Sequence, residues 1–89
     1  MSATTEEYEE TQVGDPIPFE GYLIRLLERS NPIHGGRHIH GYRAEWKRDE
    51  ANAEVEGSVY TATADGDAES AVEWAKEEIR HSIERNARN

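Results

Sequence analysis

The sequence predicts an α+β fold of order β-β-β-α: a three-stranded antiparallel meander with one C-terminal helix packed on one face. Three observations carry that prediction. Residues 37–48 alternate at period two, with His38, His40, Tyr42, Ala44 and Trp46 on one side. Arg37, Ile39, Gly41, Arg43, Glu45 and Lys47 fall on the other, as in a strand with two different faces. Ala68, Ala71, Val72, Ala75, Ile79 and Ile83 recur at spacings of three and four, the stripe of an amphipathic helix. Clusters of turn-forming residues separate the periodic segments, most densely at Ser30–Gly36.

Taken in order, residues 1–15 hold five acids and no base and read as a flexible acidic arm ahead of a single domain over 16–89. Pro16 and Pro18 then impose extended backbone, because proline fixes φ and restricts the residue before it. The segment FEGYLIRLLER, residues 19–29, is apolar enough for a strand or a short helix. Its length and Gly21-Tyr22 favour a strand. The loop SNPIHGG follows, then the strand at 37–48, a polar turn at 49–52 and a third strand over 53–64. That third strand sets Val55 and Val59 on one side and Glu54, Glu56 and Tyr60 on the other. A turn at 64–67 ends on Asp67, the expected N-cap. The helix runs to about Arg85, acids near its start and arginines near its end, as the macrodipole favours. Ile39, Tyr60 and the Leu23–Leu27 run are too many for the face that one helix can cover, so a second face or an edge should be left sticky.

Composition narrows the function classes. Leu, Ile, Val and Phe together make up 14 of 89 residues, and the net charge is −9. Such a balance warns of disorder. Against it, Tyr22, Tyr42, Trp46, Tyr60 and Trp74 are spread through periodic segments. Eight Arg against two Lys, with abundant Asp, Glu and Ala, resembles the proteins of halophilic archaea, which implies a folded cytoplasmic domain adapted to high salt. No apolar run approaches the roughly 18 residues of a membrane span, and the first ten residues have neither the basic nor the apolar part of a signal peptide. With no cysteine there is no disulfide or thiolate metal site. No nucleophile-elbow, phosphate-loop or dinucleotide-binding glycine pattern is present, and so small a domain offers little room for a buried pocket. The expectation is a non-enzymatic protein without a cofactor.

The stretch GDAESAVEWAKEEI, residues 66–79, follows directly on the third strand. With Gly66, Asp67, Ala71, Ala75, Lys76, Glu77 and Ile79 it resembles the strand-to-helix junction of HicB-like antitoxin domains, and His40-Gly41-Tyr42 resembles the start of that family's second strand. The sequence departs from the family in lacking a proline-rich turn before the third strand and a DNA-binding domain after the helix. The resemblance implies a degenerate, non-catalytic RNase H-like β-β-β-α module that binds a protein partner and self-associates. It carries over no individual functional residue.

Three constellations offer a site. Trp74 lies about 125° from the centre of the apolar stripe at 100° per residue, beside Ser70, Glu78, His81 and Arg85 on the outer face. Trp in such a place marks an interface. Trp74, Glu78, His81 and Arg85, with Tyr60 and Ile39 on the sheet, are the expected contacts for a homodimer or higher oligomer and for a protein partner. Tyr8, Val13 or Ile17 folding back over the ring is the alternative. The second constellation is electrostatic: residues 25–48 carry six bases and two acids, a net +4 inside a remainder of net −13. Arg37, Arg43, Trp46, Lys47 and Arg48 would then form a nucleic-acid surface, unless the arginines pair with Glu54, Glu56 or the acidic arm. The third is His34, His38 and His40, imidazoles close enough in sequence to ligate a metal.

Overall fold

The computed structural model describes residues 9–33, 35–62 and 67–88. It is α+β, with a five-stranded antiparallel sheet followed by one C-terminal helix. The strands are β1 (Glu9–Gln12), β2 (Ile17–Phe19), β3 (Tyr22–Ile33), β4 (Gly36–Arg48) and β5 (Val55–Ala62), and the helix is α1 (Ala68–Arg88). The sheet therefore has two strands more than the meander read from the sequence. Both lie on one edge: β1 pairs with Leu27–Ser30 of β3 and β2 with Tyr22–Ile24, while β4 takes the other side of β3. Of the acidic arm expected over 1–15, residues 1–8 lie outside the described residues, and Glu9–Gln12 are a strand. Periodicity could not reveal it, because all four of its residues are exposed.

Local chemistry explains where the edge breaks and turns. Gly14 has φ 73°, and Pro16 follows it, so pairing stops between β1 and β2. Glu20 and Gly21, with φ of 52° and 83°, make the two-residue turn that suits the twist of a β2–β3 hairpin. From Tyr22↔Arg48 to Ile33↔Gly36, β3 and β4 form one long hairpin. The loop expected over Ser30–Gly36 is thus a correction: Ser30–Ile33 continue the strand. Asn31 and Pro32 mislead as turn formers. A proline is tolerated in a strand where its nitrogen faces away from a paired neighbour, and Pro32 lies beyond Ser30, where the described part of β1 ends. Register slips between Arg29 and Ser30, which leaves His40 as the extra residue of a bulge.

α1 lies over β4 with its flanks on β3 and β5. Tyr22, Ile24 and Leu26 of β3, Ala44 and Trp46 of β4, and Ala71, Val72, Ala75 and Ile79 of α1 form the core. The alanines bring the helix backbone close to the sheet, and Trp46 fills the space this leaves above β5, lying over Gly57. Ile83, the last residue of the stripe, stays 37% exposed. The helix starts as the sequence implied: the Ser70 amide donates to Asp67 Oδ1 at 3.0 Å and the Ala71 amide to the Asp67 carbonyl. The turn at 63–66 lies outside the described residues.

The other face of the sheet carries no helix. Leu23, Arg25, Leu27 and Arg29 alternate with the core residues of β3, and opposite them stand Lys47, Glu45, Arg43 and Gly41. Tyr60, paired with Arg43, shares that face. Val55 does so too, because Glu56 is an extra residue between the pairs Trp46↔Gly57 and Lys47↔Val55. Val55 and Val59 therefore do not share a side. The expectation failed because a bulge resets the alternation on which it rested.

Candidate functional site

The outer flank of α1 is built by helical spacing. Trp74, Glu78, Ser82 and Arg85 stand at steps of four, four and three, so they follow one side of the helix. Glu78, Ser82 and Arg85 join Trp46, Glu56, Gly57, Ser58 and Val59 around a hollow of about 320 Å³ between the helix and β5. Trp74 is 45% exposed, and His81 and Arg85 are exposed. The opposite flank is closed: Lys76 Nζ and Arg80 Cζ stand 5.6 and 5.0 Å from the centre of the Phe19 ring, as cations over an aromatic face. Four of the six residues expected at a partner contact are thus brought together. Tyr60 is not among them, since it lies on the other face of the sheet beneath Arg29, whose Cζ is 5.2 Å from its ring centre. Ile39 is half-buried on β4 opposite Ser30, outside the cluster that the helix covers. Among the expected alternative covers for Trp74, Tyr8 lies outside the described residues, Val13 is 41% exposed, and Ile17 packs on the core.

The basic hairpin is occupied with its own carboxylates. Arg43 reaches Glu10 at 2.6 Å and Glu45 at 2.9 Å. Arg25 holds the other oxygen of Glu45 at 2.7 Å, Arg37 reaches Glu28 at 3.0 Å and Arg48 reaches Glu56 at 3.3 Å. The hydrogen bonds from Arg43 hold the Glu10 carboxyl below its ordinary pKa of 4.5, and Glu10 in turn raises the Arg43 guanidinium. Two of these acids, Glu10 and Glu56, come from the places named beforehand as alternative partners for the arginines. Trp46, expected at the nucleic-acid surface, is 9% exposed and belongs to the core beneath the helix. Its place in the alternating strand was legible, but which side of that strand the helix would cover was not.

The histidines do not assemble a metal site among the described residues. The His38 and His40 rings meet edge to face, 4.7 Å between centres, and His40 Nε2 shares a hydrogen bond with Asn31 Oδ1. His34 lies outside the described residues, and those described contain no group of three or more His, Asp or Glu placed to hold a metal ion. No helix among them is long and apolar enough to cross a membrane.

One feature of the uncovered face was missed by sequence reasoning. Gln12, Pro16, Leu23, Arg25, Glu45, Trp46, Lys47, Ala53 and Val55 line an open hollow of about 350 Å³. Its walls come from β1, the break before β2, β3, β4, the turn before β5 and the start of β5, so no local pattern announces it. Lys47 is the one base of the hairpin without a carboxylate partner among the described residues.

Compared with known protein families, with curated proteins and with solved structures, the chain matches none.

Proposed function

We propose that the chain is a small non-enzymatic interaction module that self-associates and binds a protein partner, in the manner of an antitoxin-like regulator. The observation that carries this reading is Trp74. A chain with 14 large aliphatic and Phe residues leaves an indole 45% exposed on the helix flank, one turn before Glu78, which lines a hollow along β5. Trp offers a large apolar area with little conformational entropy to lose, which is why it concentrates at the centres of interfaces. Glu78, His81 and Arg85 around it supply the polar rim that such contacts use.

Sedimentation equilibrium at moderate and at near-saturating salt, paired with quenching of indole fluorescence, tests this reading. Trp46 is buried, so quenching reports Trp74, and a Trp46→Phe variant isolates the signal. Self-association with a Trp74 that becomes shielded as concentration rises is the expected outcome. A monomer at every concentration with a freely quenched Trp74 defeats the proposal.

A further inference from the structure

We infer that two copies of the chain join edge to edge through β5, antiparallel about a two-fold axis, making one continuous sheet with both helices on the same side. This rests on the self-association just proposed and names the surface that performs it.

The two edges of the sheet differ in kind. The β1–β2 edge carries Glu9, Glu10 and Asp15, is interrupted at Gly14, and contains Pro16 and Pro18. Charge, interruption and proline are the devices that keep an edge from pairing with another chain. The β5 edge carries none of them beyond Glu56, its second residue. Residues 57–64, GSVYTATA, are the longest run without Asp, Glu, Lys or Arg in a chain that is 33% charged. β5 pairs with β4 on one side and has no strand on the other among the described residues. Its single bulge lies at Glu56, near the start, and Glu56 is paired with Arg48. A molecule of net charge −9 resists a second copy over most of its surface, and this uncharged strand is where the resistance is least.

The helices fit the same symmetry. α1 lies over β4, so in the joined sheet the two helix axes are three strand spacings apart, about 14 Å at ~4.8 Å each. Helices in direct contact stand 8–10 Å apart. The remaining gap requires the longest side chains, and the flank facing β5 carries Trp74 and Arg85. A two-fold axis runs the partner helix in the opposite direction, which turns Trp74 of one copy toward the last turns of the other, where Arg85 stands, and Glu78 toward His81. Guanidinium over indole and carboxylate beside imidazole are complementary pairs. The hollow between α1 and β5 becomes half of a larger groove that the second copy closes. On the strands, Val59 opposite its own symmetry mate sets Gly57 against Thr61 beneath the helices and Ser58 against Tyr60 on the uncovered face.

The test uses the full chain and three variants. Ser58 is exposed, so Ser58→Lys leaves circular dichroism unchanged while placing an ammonium on the paired edge. It weakens association at least about tenfold at moderate salt. The chain has no cysteine, so Val59→Cys supplies its only thiol. Two such thiols across the axis come close enough for a disulfide under mild oxidation, whereas Val55→Cys, displaced along the strand, does not cross-link. Dissociation by Ser58→Lys together with cross-linking of Val59→Cys bears the inference out. A wild-type dimer that Ser58→Lys leaves intact overturns the edge pairing while the self-association reading stands. A wild-type monomer overturns both.

Discussion

Gly57 lies beneath the ring of Trp46, and a Cβ built on it comes within 2.5 Å of Cζ2. Gly41 is tighter still, since its Cβ would run into the Thr61 carbonyl and the Ala62 backbone. The two positions differ in what can yield. Trp46 is a side chain and can tilt, at the expense of the core packing above it, so Gly57→Ala is expected to lower stability by about 1–3 kcal/mol. At Gly41 the obstacle is the neighbouring strand itself, so Gly41→Ala is expected to exceed Gly57→Ala and to loosen β5 from β4. Denaturant unfolding of the two variants ranks them, and the reverse order would show that the Trp46 packing is the more rigid of the two. Glu45 is another residue whose effect lies in its partners. Its side chain is 8% exposed and held by Arg25 and Arg43. Because Arg25 is half exposed, Glu45→Ala is expected to cost about 1–2 kcal/mol, less than a fully buried pair would.

Among the elements, β1 depends most on charge. All its residues are exposed, and Glu10 ties it to Arg43 and Arg29. The folded Glu10 carboxyl has a depressed pKa, mainly through the hydrogen bond from Arg43. Its contribution is therefore present above the ordinary carboxylate value and is lost as pH falls through the folded one. The protection factors of the Thr11 and Val13 amides, which face β3, are expected to fall on acidification below that range, and Glu10→Gln is expected to remove the dependence. A β1 protected equally well in acid would mean that its backbone pairing suffices. α1 is different in kind, since its attachment is the apolar stripe. Ile79 is fully buried, and Ile79→Ala is expected to cost about 2–5 kcal/mol.

Over the whole molecule, the separation of charge read from the sequence is partly neutralised within the fold. The +4 already counts Glu28 and Glu45, and from outside the hairpin Glu10 of β1 and Glu56 of β5 add two more acids, while the molecule as a whole stays negative. Two expectations follow for solution behaviour. Salt screens that surplus, so the melting temperature is expected to rise with salt concentration, since the surface pairs that salt also weakens contribute about 0–1 kcal/mol each. Titration with a nucleic-acid duplex at moderate salt is expected to be flat, since the arginines already have partners. Binding whose logarithm falls linearly with that of salt would reverse that expectation.

The sequence by itself determined the α+β class, the C-terminal helix with its Asp67 cap, the alternation of β4 from Gly41 onward and the outward place of Trp74. Each of these is a local matter, fixed by side-chain period or by capping between near neighbours. The bulge at His40, by contrast, puts Arg37 and Ile39 on the side of Tyr42 and so breaks the alternation expected over 37–41. Only the tertiary structure decided that Ser30–Ile33 are strand, that Glu9–Gln12 belong to the sheet, that Val55 and Val59 part company at a bulge, and that Trp46 is core. Those outcomes depend on which strand lies alongside and which face the helix covers, and no single segment carries that information. The same holds for the unequal edges of the sheet: the lack of charge in residues 57–64 is visible in the chain, but its meaning as an open edge comes from β5 being last in the sheet order.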